Sequence, residues 1–146
     1  MQEKMLQVKI DGKEKTYREG TRYLDAAQEF QKYADSRIVL ASVNGRLKEL
    51  TKKMKDGEEI CLLTLKDKNG FMTYRRSMIL LMLKAVYTVG GFELVDRVGI
   101  HYSVGSGFYV TISGEKKTEP TFLKQVEQAM REMVEKKLPI TKTSIS

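Results

Sequence analysis

The pattern of hydrophobic and polar positions predicts a hairpin followed by a helix at the start of the chain. Residues Met5 to Ile10 alternate between polar and apolar, which is typical of a strand with one buried face. Asp11-Gly12 is a strong turn signal, and Lys13 to Arg18 form the predicted return strand. Thr21 is the predicted N-cap of the next helix. The apolar positions of this helix follow helical spacing: Leu24, Ala27, Phe30 and Tyr33.

Two further strands are predicted after this helix. Ile38 to Val43 is apolar and stops at Asn44-Gly45, and a short connecting segment follows. Asp56-Gly57 then turns the chain into a last strand from Glu59 to Leu65. The order strand, strand, helix, strand, strand predicts a small β-grasp module over residues 1–66, in a chain of the α+β class.

The second half begins with a polar linker, Lys66 to Gly70, and a helix from about Thr73 to Thr88. This helix contains the apolar run Met78 to Leu83, so we expect it to be buried. Gly90-Gly91 is expected to break it. The run Met78 to Leu83 is about a third of the length that a membrane span needs, and we expect no membrane contact.

Two strands and a closing helix complete the prediction. The strands run from Val98 to Ser103 and from Phe108 to Ile112, joined by Gly105-Ser106-Gly107. Thr118 or Thr121 caps the last helix, and Pro120 lies in its first turn. Its apolar stripe consists of Phe122, Val126, Met130, Met133 and Val134. Pro139 ends the helix, and residues 140–146 read as a strand cut short, so we expect the second domain, residues 67–146, to be truncated.

Composition narrows the chemistry. The net charge is +7, and it is spread over both halves without a block of like charges. It therefore favours anionic partners but does not indicate a basic tail for nucleic acid. Cys61 is the only cysteine and lies in an apolar run, where we expect it to be a core residue. A single cysteine and a single histidine leave no expected metal site. The N-terminus carries no apolar signal segment, which predicts a cytoplasmic protein.

Four segments of residues 5–66 resemble the TGS domain. They are Val8 to Lys13, Glu19-Gly20-Thr21, Ala41 to Arg46 and Lys55 to Ile60. The module is found in threonyl-tRNA synthetases, in certain GTPases and in stringent-response enzymes. The resemblance implies an appended ligand-binding or regulatory domain and no catalytic role.

The second half resembles the domain that follows TGS in threonyl-tRNA synthetase and edits mischarged tRNA. In that family the first helix carries two histidines, four residues apart, in the editing site. The resemblance places them at Arg76 and Leu80, which can neither bind a metal nor act as a general base at neutral pH. We therefore expect no editing hydrolysis.

The motif Thr73-Tyr74-Arg75-Arg76-Ser77 ahead of Lys84-Ala85-Val86 is also similar to the N-terminal part of bacterial uridine kinase-like proteins. These carry a P-loop kinase domain after the two modules, and no GxxxxGK[ST] occurs in this chain. The resemblance implies a noncatalytic regulatory segment whose partner is its own C-terminal kinase-like domain. ATP and Mg are expected only if such a domain follows.

The first candidate site is Arg75, Arg76 and Ser77, which the pattern places at a helix entrance where backbone N–H groups favour an anion. Two guanidinium groups there would bind a phosphate or a carboxylate. The alternative is that the arginines cover the apolar helix and pair with acidic neighbours.

The second candidate site is His101, Tyr102 and Tyr109 around the Gly105-Ser106-Gly107 segment. His101 and Tyr102 are expected on opposite faces of a strand. The glycines suit either a close ligand approach or an ordinary hairpin turn. If both candidates face one cleft, Arg76 and Ser77 with these rings would recognise a nucleoside or nucleotide by stacking and anion contacts.

The third candidate is a basic surface of the β-grasp module, with Tyr17 as a stacking residue for RNA. Its cations are Lys9, Lys13, Lys15, Arg46, Lys48, Lys52, Lys53 and Lys55. The alternative is a solvated surface of mixed charge. The leading hypothesis is thus a ligand-recognition segment of a nucleoside kinase-like protein, and the alternative is an RNA-binding accessory module.

Overall fold

A computed structural model describes residues 2–115 and 119–146. The chain divides into two compact units, Met1–Arg76 and Ser77–Ser146. The division falls within a helix. The linker predicted at Lys66 to Gly70 is wrong, because this helix already begins at Lys68. The domain boundary predicted after residue 66 stays a prediction.

The first unit is built on a five-stranded mixed sheet. Its strands are β1 (Met5–Ile10), β2 (Lys13–Arg18), β3 (Ile38–Val43), β4 (Arg46–Lys48) and β5 (Glu59–Thr64). Helix α1 (Tyr23–Phe30) follows β2 and ends in a 3₁₀ turn, Gln31–Tyr33. The strand order is β2-β1-β5-β3-β4, with β1 parallel to β5 and the other pairs antiparallel. This is the β-grasp arrangement that the sequence predicts.

The segment after Asn44-Gly45 differs from its prediction. It was expected to be a connection without a strand, but Arg46–Lys48 forms β4 and pairs with the end of β3 through Val43 and Arg46. All three β4 residues are exposed. A three-residue edge strand has no buried face, so it leaves no hydrophobic alternation for a sequence pattern to reveal.

Helix α1 covers one face of the sheet. The alternating residues Leu6, Val8 and Ile10 of β1 are at most 5% exposed and pack in the same cluster as Tyr23 and Phe30 of α1. The prediction of Cys61 as a core residue is wrong, since its side chain is exposed. Ile60 beside it is fully buried, and successive residues of a strand point to opposite faces.

The start of α1 also corrects a prediction. Thr21 is not the N-cap, because its Oγ1 donates a hydrogen bond of 2.7 Å to the carbonyl oxygen of Arg18. The N-cap is Arg22, whose backbone N–H donates to Oδ2 of Asp25 at 2.9 Å. Asp25 therefore holds the helix entrance by the reach-back half of a capping box.

Helix α2 (Lys68–Leu94) is longer than predicted and less buried. Gly91 interrupts it with φ 73° and ψ 161°, which confirms the predicted break. Ala85 and Val86 are buried, whereas Leu80 is 49% exposed, so the expectation of a buried helix is wrong. Among the described residues, α2 alone is long and apolar enough to cross a membrane, a test that the core helix of a globular protein also passes.

The second unit adds a hairpin and a closing helix. The hairpin consists of β6 (Arg97–Val104) and β7 (Gly107–Ser113), and the helix is α3 (Pro120–Glu135). Their cluster joins Val86 and Val95 to Phe122 and Val126.

The ends of α3 correct two predictions and confirm one. Pro120 lies in its first turn as predicted. The N-cap is Glu119 and not Thr121, and Thr118 lies outside the described residues. The predicted strand at residues 140–146 is wrong, since this segment contains no secondary structure.

Candidate functional site

The first candidate site is not at a helix entrance. Because α2 begins at Lys68, Arg75 and Arg76 lie two turns inside it, where backbone N–H groups are engaged within the helix. The guanidinium carbon of Arg75 lies 5.7 Å from the centre of the Phe71 ring. This contact agrees with the alternative that arginine covers apolar surface of the helix. The predicted position of these residues at a helix terminus is therefore wrong, and anion binding by Arg75, Arg76 and Ser77 stays a prediction.

The predicted site residues are divided between the two units. Arg75 and Arg76 end the first unit, and Ser77 begins the second. His101, Tyr102 and Tyr109 all belong to the second unit, on the β6–β7 hairpin. The structure brings these three rings together.

A bulge in β6 causes the three rings to meet. Ile100 pairs with Val110 and Ser103 pairs with Phe108, so two residues of β6 lie opposite Tyr109 alone. The Tyr102 and Tyr109 rings stack with centroids 5.2 Å apart at 15°, and the His101 and Tyr109 rings lie 5.6 Å apart at 46°. The prediction that His101 and Tyr102 point to opposite faces is wrong because it assumed regular alternation.

His101 is fixed by the residues beneath it. Its Nε2 lies 2.8 Å from Oγ1 of Thr111 in a hydrogen bond. A Cβ on Gly99 would lie 2.9 Å from that same Nε2, so the absence of a side chain at Gly99 makes room for the imidazole. This is the face of the hairpin opposite to the one that packs on the core through Val98 and Ile112.

The resulting cluster is a solvent-exposed aromatic surface. Tyr102 is 60% exposed and Tyr109 is 47% exposed. Val104 pairs with Gly107, so Gly105-Ser106 is an ordinary two-residue hairpin turn, one of the two predicted alternatives for this segment. We call His101, Tyr102 and Tyr109 the hairpin platform. It offers flat rings to a ligand.

The structure divides the cations of the third candidate surface between the two edges of the sheet, with Lys13 on β2 and Arg46 on β4, so they do not form one continuous surface. Its predicted stacking residue is Tyr17. Tyr17 is half-buried, and its hydroxyl donates to Oε2 of Glu29 at 2.7 Å. Burial first, and then the Glu29 carboxylate, raise the pKa of Tyr17. The Tyr17 side chain also packs against the core cluster of the first unit, so only part of its ring is open to a base.

Among the described residues of the first unit, Tyr33 is the most exposed aromatic side chain, at 67%. The Nζ atoms of Lys13 and Lys32 lie 5.0 and 4.9 Å from the centre of this ring. The helical spacing assigned Tyr33 to the core, and Lys32 was not singled out. The adjacent Lys32-Tyr33 pair at the end of a helical pattern was the available signal.

One open depression lies on the first unit, among Gln7, Lys9, Glu14, Glu58 and Glu59. Its carboxylates do not favour an anionic ligand. Within residues 2–115 and 119–146, no group of three His, Cys, Asp or Glu side chains is arranged to hold a metal ion.

The chain is similar in sequence to part of several threonine–tRNA ligases. The chain is 33% identical over 144 residues to the threonine–tRNA ligase of Thermotoga petrophila, covering 97% of the chain and 22% of the relative. The corresponding enzyme of Carboxydothermus hydrogenoformans is 27% identical over 143 residues, again 97% of the chain and 22% of the relative. The Thermus thermophilus enzyme is 28% identical over 140 residues, 93% and 21% respectively. No family model matches the chain.

The chain thus spans about a fifth of the length of the curated relatives that it matches, 22% in the Thermotoga petrophila enzyme. It is similar to a region of threonyl-tRNA synthetases, as the TGS and editing-domain resemblances imply. These relatives give the uridine kinase interpretation no support.

Proposed function

We propose that the chain is a noncatalytic RNA-binding accessory module with tRNA as its partner. The observation that carries the proposal is the hairpin platform, where Tyr102 and Tyr109 stack on each other and remain exposed. Rings presented in this way stack on nucleotide bases with little regard to sequence. The similarity to threonine–tRNA ligases over 97% of the chain supports tRNA as the class of partner.

The proposal includes neither a cofactor nor a reaction in this segment. Arg76 and Leu80 stand where the editing resemblance implies two histidines, and the hairpin platform holds a single imidazole. We expect the module to act in the cytoplasm, where aminoacyl-tRNA synthetases meet their substrates.

Binding of unfractionated tRNA, followed by fluorescence anisotropy at several salt concentrations, tests the proposal. If about four phosphates are neutralised, raising salt from about 50 to about 200 mM weakens binding on the order of 100-fold. Tyr102→Ala is expected to weaken binding, and Tyr102→Phe, which keeps the ring, is expected to preserve it. Absence of tRNA binding at low salt would contradict the proposal.

The same experiment separates RNA from a free nucleoside ligand. Uridine carries no phosphate, so its binding would not depend on salt. If the chain bound uridine without salt dependence and did not bind tRNA, the nucleoside-recognition hypothesis would replace ours.

A further inference from the structure

A second aromatic surface lies on the first unit, whereas the hairpin residues that carry the proposed function belong to the second unit. It consists of Lys13, Lys32 and Tyr33, and we call it the Tyr33 surface. Tyr33 is 67% exposed, and one lysine ammonium group from β2 and one from the 3₁₀ turn lie 5.0 and 4.9 Å from the centre of its ring, within the limit of about 6 Å for a cation–π contact.

The ring is held in a fixed place. It meets the buried Phe30 ring edge-on, with centroids 6.1 Å apart at 70°. The Gln31 side chain fastens the following segment, since its Nε2 donates to the carbonyl oxygen of Ser36 and its Oε1 accepts from the N–H of Ile38, both at 2.9 Å. A ring fixed in this way loses little conformational freedom when it binds a ligand.

The charge of this surface is not neutralised locally. Lys15 forms an ion pair of 2.7 Å with Glu29. In the part of the chain that the structure describes, neither Lys13 nor Lys32 makes an ion pair within 4.0 Å. Glu29 is the carboxylate whose pKa both Lys15 and Lys32 lower, and Lys13 adds a further ammonium group beside the exposed ring, so positive charge remains around Tyr33.

We propose that the Tyr33 surface binds an unpaired nucleotide of single-stranded RNA. The base stacks on Tyr33, and Lys13 and Lys32 bind the phosphates on either side. An exposed ammonium–ring contact is weak, so both lysines can leave the ring for a phosphate. The carboxylate side chains of an acidic protein segment would satisfy the two cations but carry no ring to stack on Tyr33, whereas each nucleotide joins a flat base to a phosphate, which is why RNA is favoured.

This inference rests on the proposed function, and its test uses the complete chain with a fluorescein-labelled oligouridylate. Tyr33→Ala is expected to raise Kd by about 5- to 160-fold, the range for losing one base–aromatic stack. Tyr33→Phe is expected to leave Kd unchanged. The double variant Lys13→Gln/Lys32→Gln is expected to lower the slope of log Kd against log salt by about 1.4, since single strands contribute about 0.7 for each phosphate.

A matched control is available on the opposite edge of the same sheet. Arg46→Gln/Lys48→Gln removes the same charge from β4, whereas Lys13 lies on β2. If this control lowers the salt slope as much as the Lys13/Lys32 variant does, the effect is one of total charge and the inference is overturned. It is also overturned if polyglutamate binding needs Tyr33 and oligouridylate binding does not.

Failure of the two proposals can be told apart. If Tyr102→Ala weakens RNA binding and the Tyr33 surface variants match the wild type, the proposed function stands and this inference falls. If the wild-type chain binds neither tRNA nor oligouridylate at low salt, both fall.

Discussion

The hydroxyl of Tyr23 donates a hydrogen bond of 2.7 Å to the carboxylate of Glu58, and both residues are buried in the first unit. The same Oε2 atom accepts a hydrogen bond from the backbone N–H of Lys55 at 3.0 Å. Burial, followed by the hydrogen bond to Glu58, raises the pKa of the Tyr23 hydroxyl. This pair ties the start of α1 to the turn before β5 through a buried polar contact.

Removing the donor should cost stability. Tyr23→Phe leaves the buried Glu58 carboxylate with one partner fewer, and we expect the free energy of unfolding to fall by about 1–3 kcal/mol. Tyr17→Phe is a matched control, because its hydroxyl makes a bond of equal length to the exposed Glu29. We expect a loss below about 1 kcal/mol there. Urea unfolding at neutral pH measures both, and equal losses would contradict the role assigned to burial.

A second prediction concerns Gly70, which is buried in the first turn of α2. A Cβ there would overlap the carbonyl oxygen of Thr64 and lie 3.2 Å from Cγ2 of Val39. We expect Gly70→Ala to destabilise the chain by about 1–3 kcal/mol, since a backbone oxygen must move. Gly107→Ala is the control, because its nearest neighbour would be the Val104 carbonyl oxygen at 3.7 Å. Thermal unfolding should show a lower Tm for Gly70→Ala alone.

A third prediction compares a buried and an exposed position that are neighbours in α3. Phe122 is 2% exposed and Leu123 is 44% exposed, one residue further along α3. Phe122→Ala should cost about 3–5 kcal/mol, and Leu123→Ala should stay within about 0.5 kcal/mol. Amide hydrogen exchange of α3 reports the difference. Similar exchange rates in the two variants would show that Phe122 does not anchor this cluster.

The lowered pKa of Glu29 leads us to expect that the stability of the folded state depends on pH. Hydrogen bonds from Lys15 and then from Tyr17 lower its pKa below the ordinary value of 4.5. A carboxyl whose pKa is lower in the folded state stabilises that state above its unfolded pKa. The contribution is lost as the pH falls through the folded value.

We therefore expect Glu29→Gln to lose less stability than the wild type between about pH 6 and about pH 3, because this linkage is removed. Asp35, whose pKa Lys66 lowers, remains in both proteins. The urea midpoint measured across this range tests the expectation. Parallel curves for the two proteins would rule out a contribution from Glu29.

Local signals in the sequence were sufficient to predict most of the secondary structure of the first unit. The alternation of Met5 to Ile10 and the Asp11-Gly12 turn predicted β1 and β2 with the bounds that the structure has. Burial was harder to predict than secondary structure. Cys61 and Leu80 lie in apolar runs yet are exposed, because one side of a strand or helix can face solvent while the other packs.

Part of the candidate site could be predicted from the sequence. The residues of the hairpin platform were named, but their arrangement depends on a bulge, and no local pattern in β6 indicates one extra residue. Tyr33 was missed because α1 ends at Phe30, so the helical spacing that assigned Tyr33 to the core no longer applies. Where an element stops decides which side of its last residues meets water.

The bulge at His101 and Tyr102 makes the length of β6 a determinant of which side chains meet solvent. Val98, which precedes the bulge, pairs with Ile112 and packs on the core, so its orientation does not depend on the number of residues at the bulge. Deleting one residue at this point would restore simple pairing and leave a single side chain opposite Tyr109. A shortened hairpin would then keep its fold but lose the stacked rings of the hairpin platform. In a related sequence that is one residue shorter here, a tyrosine aligned with Tyr102 would therefore face the opposite side of the strand and would not have the same role.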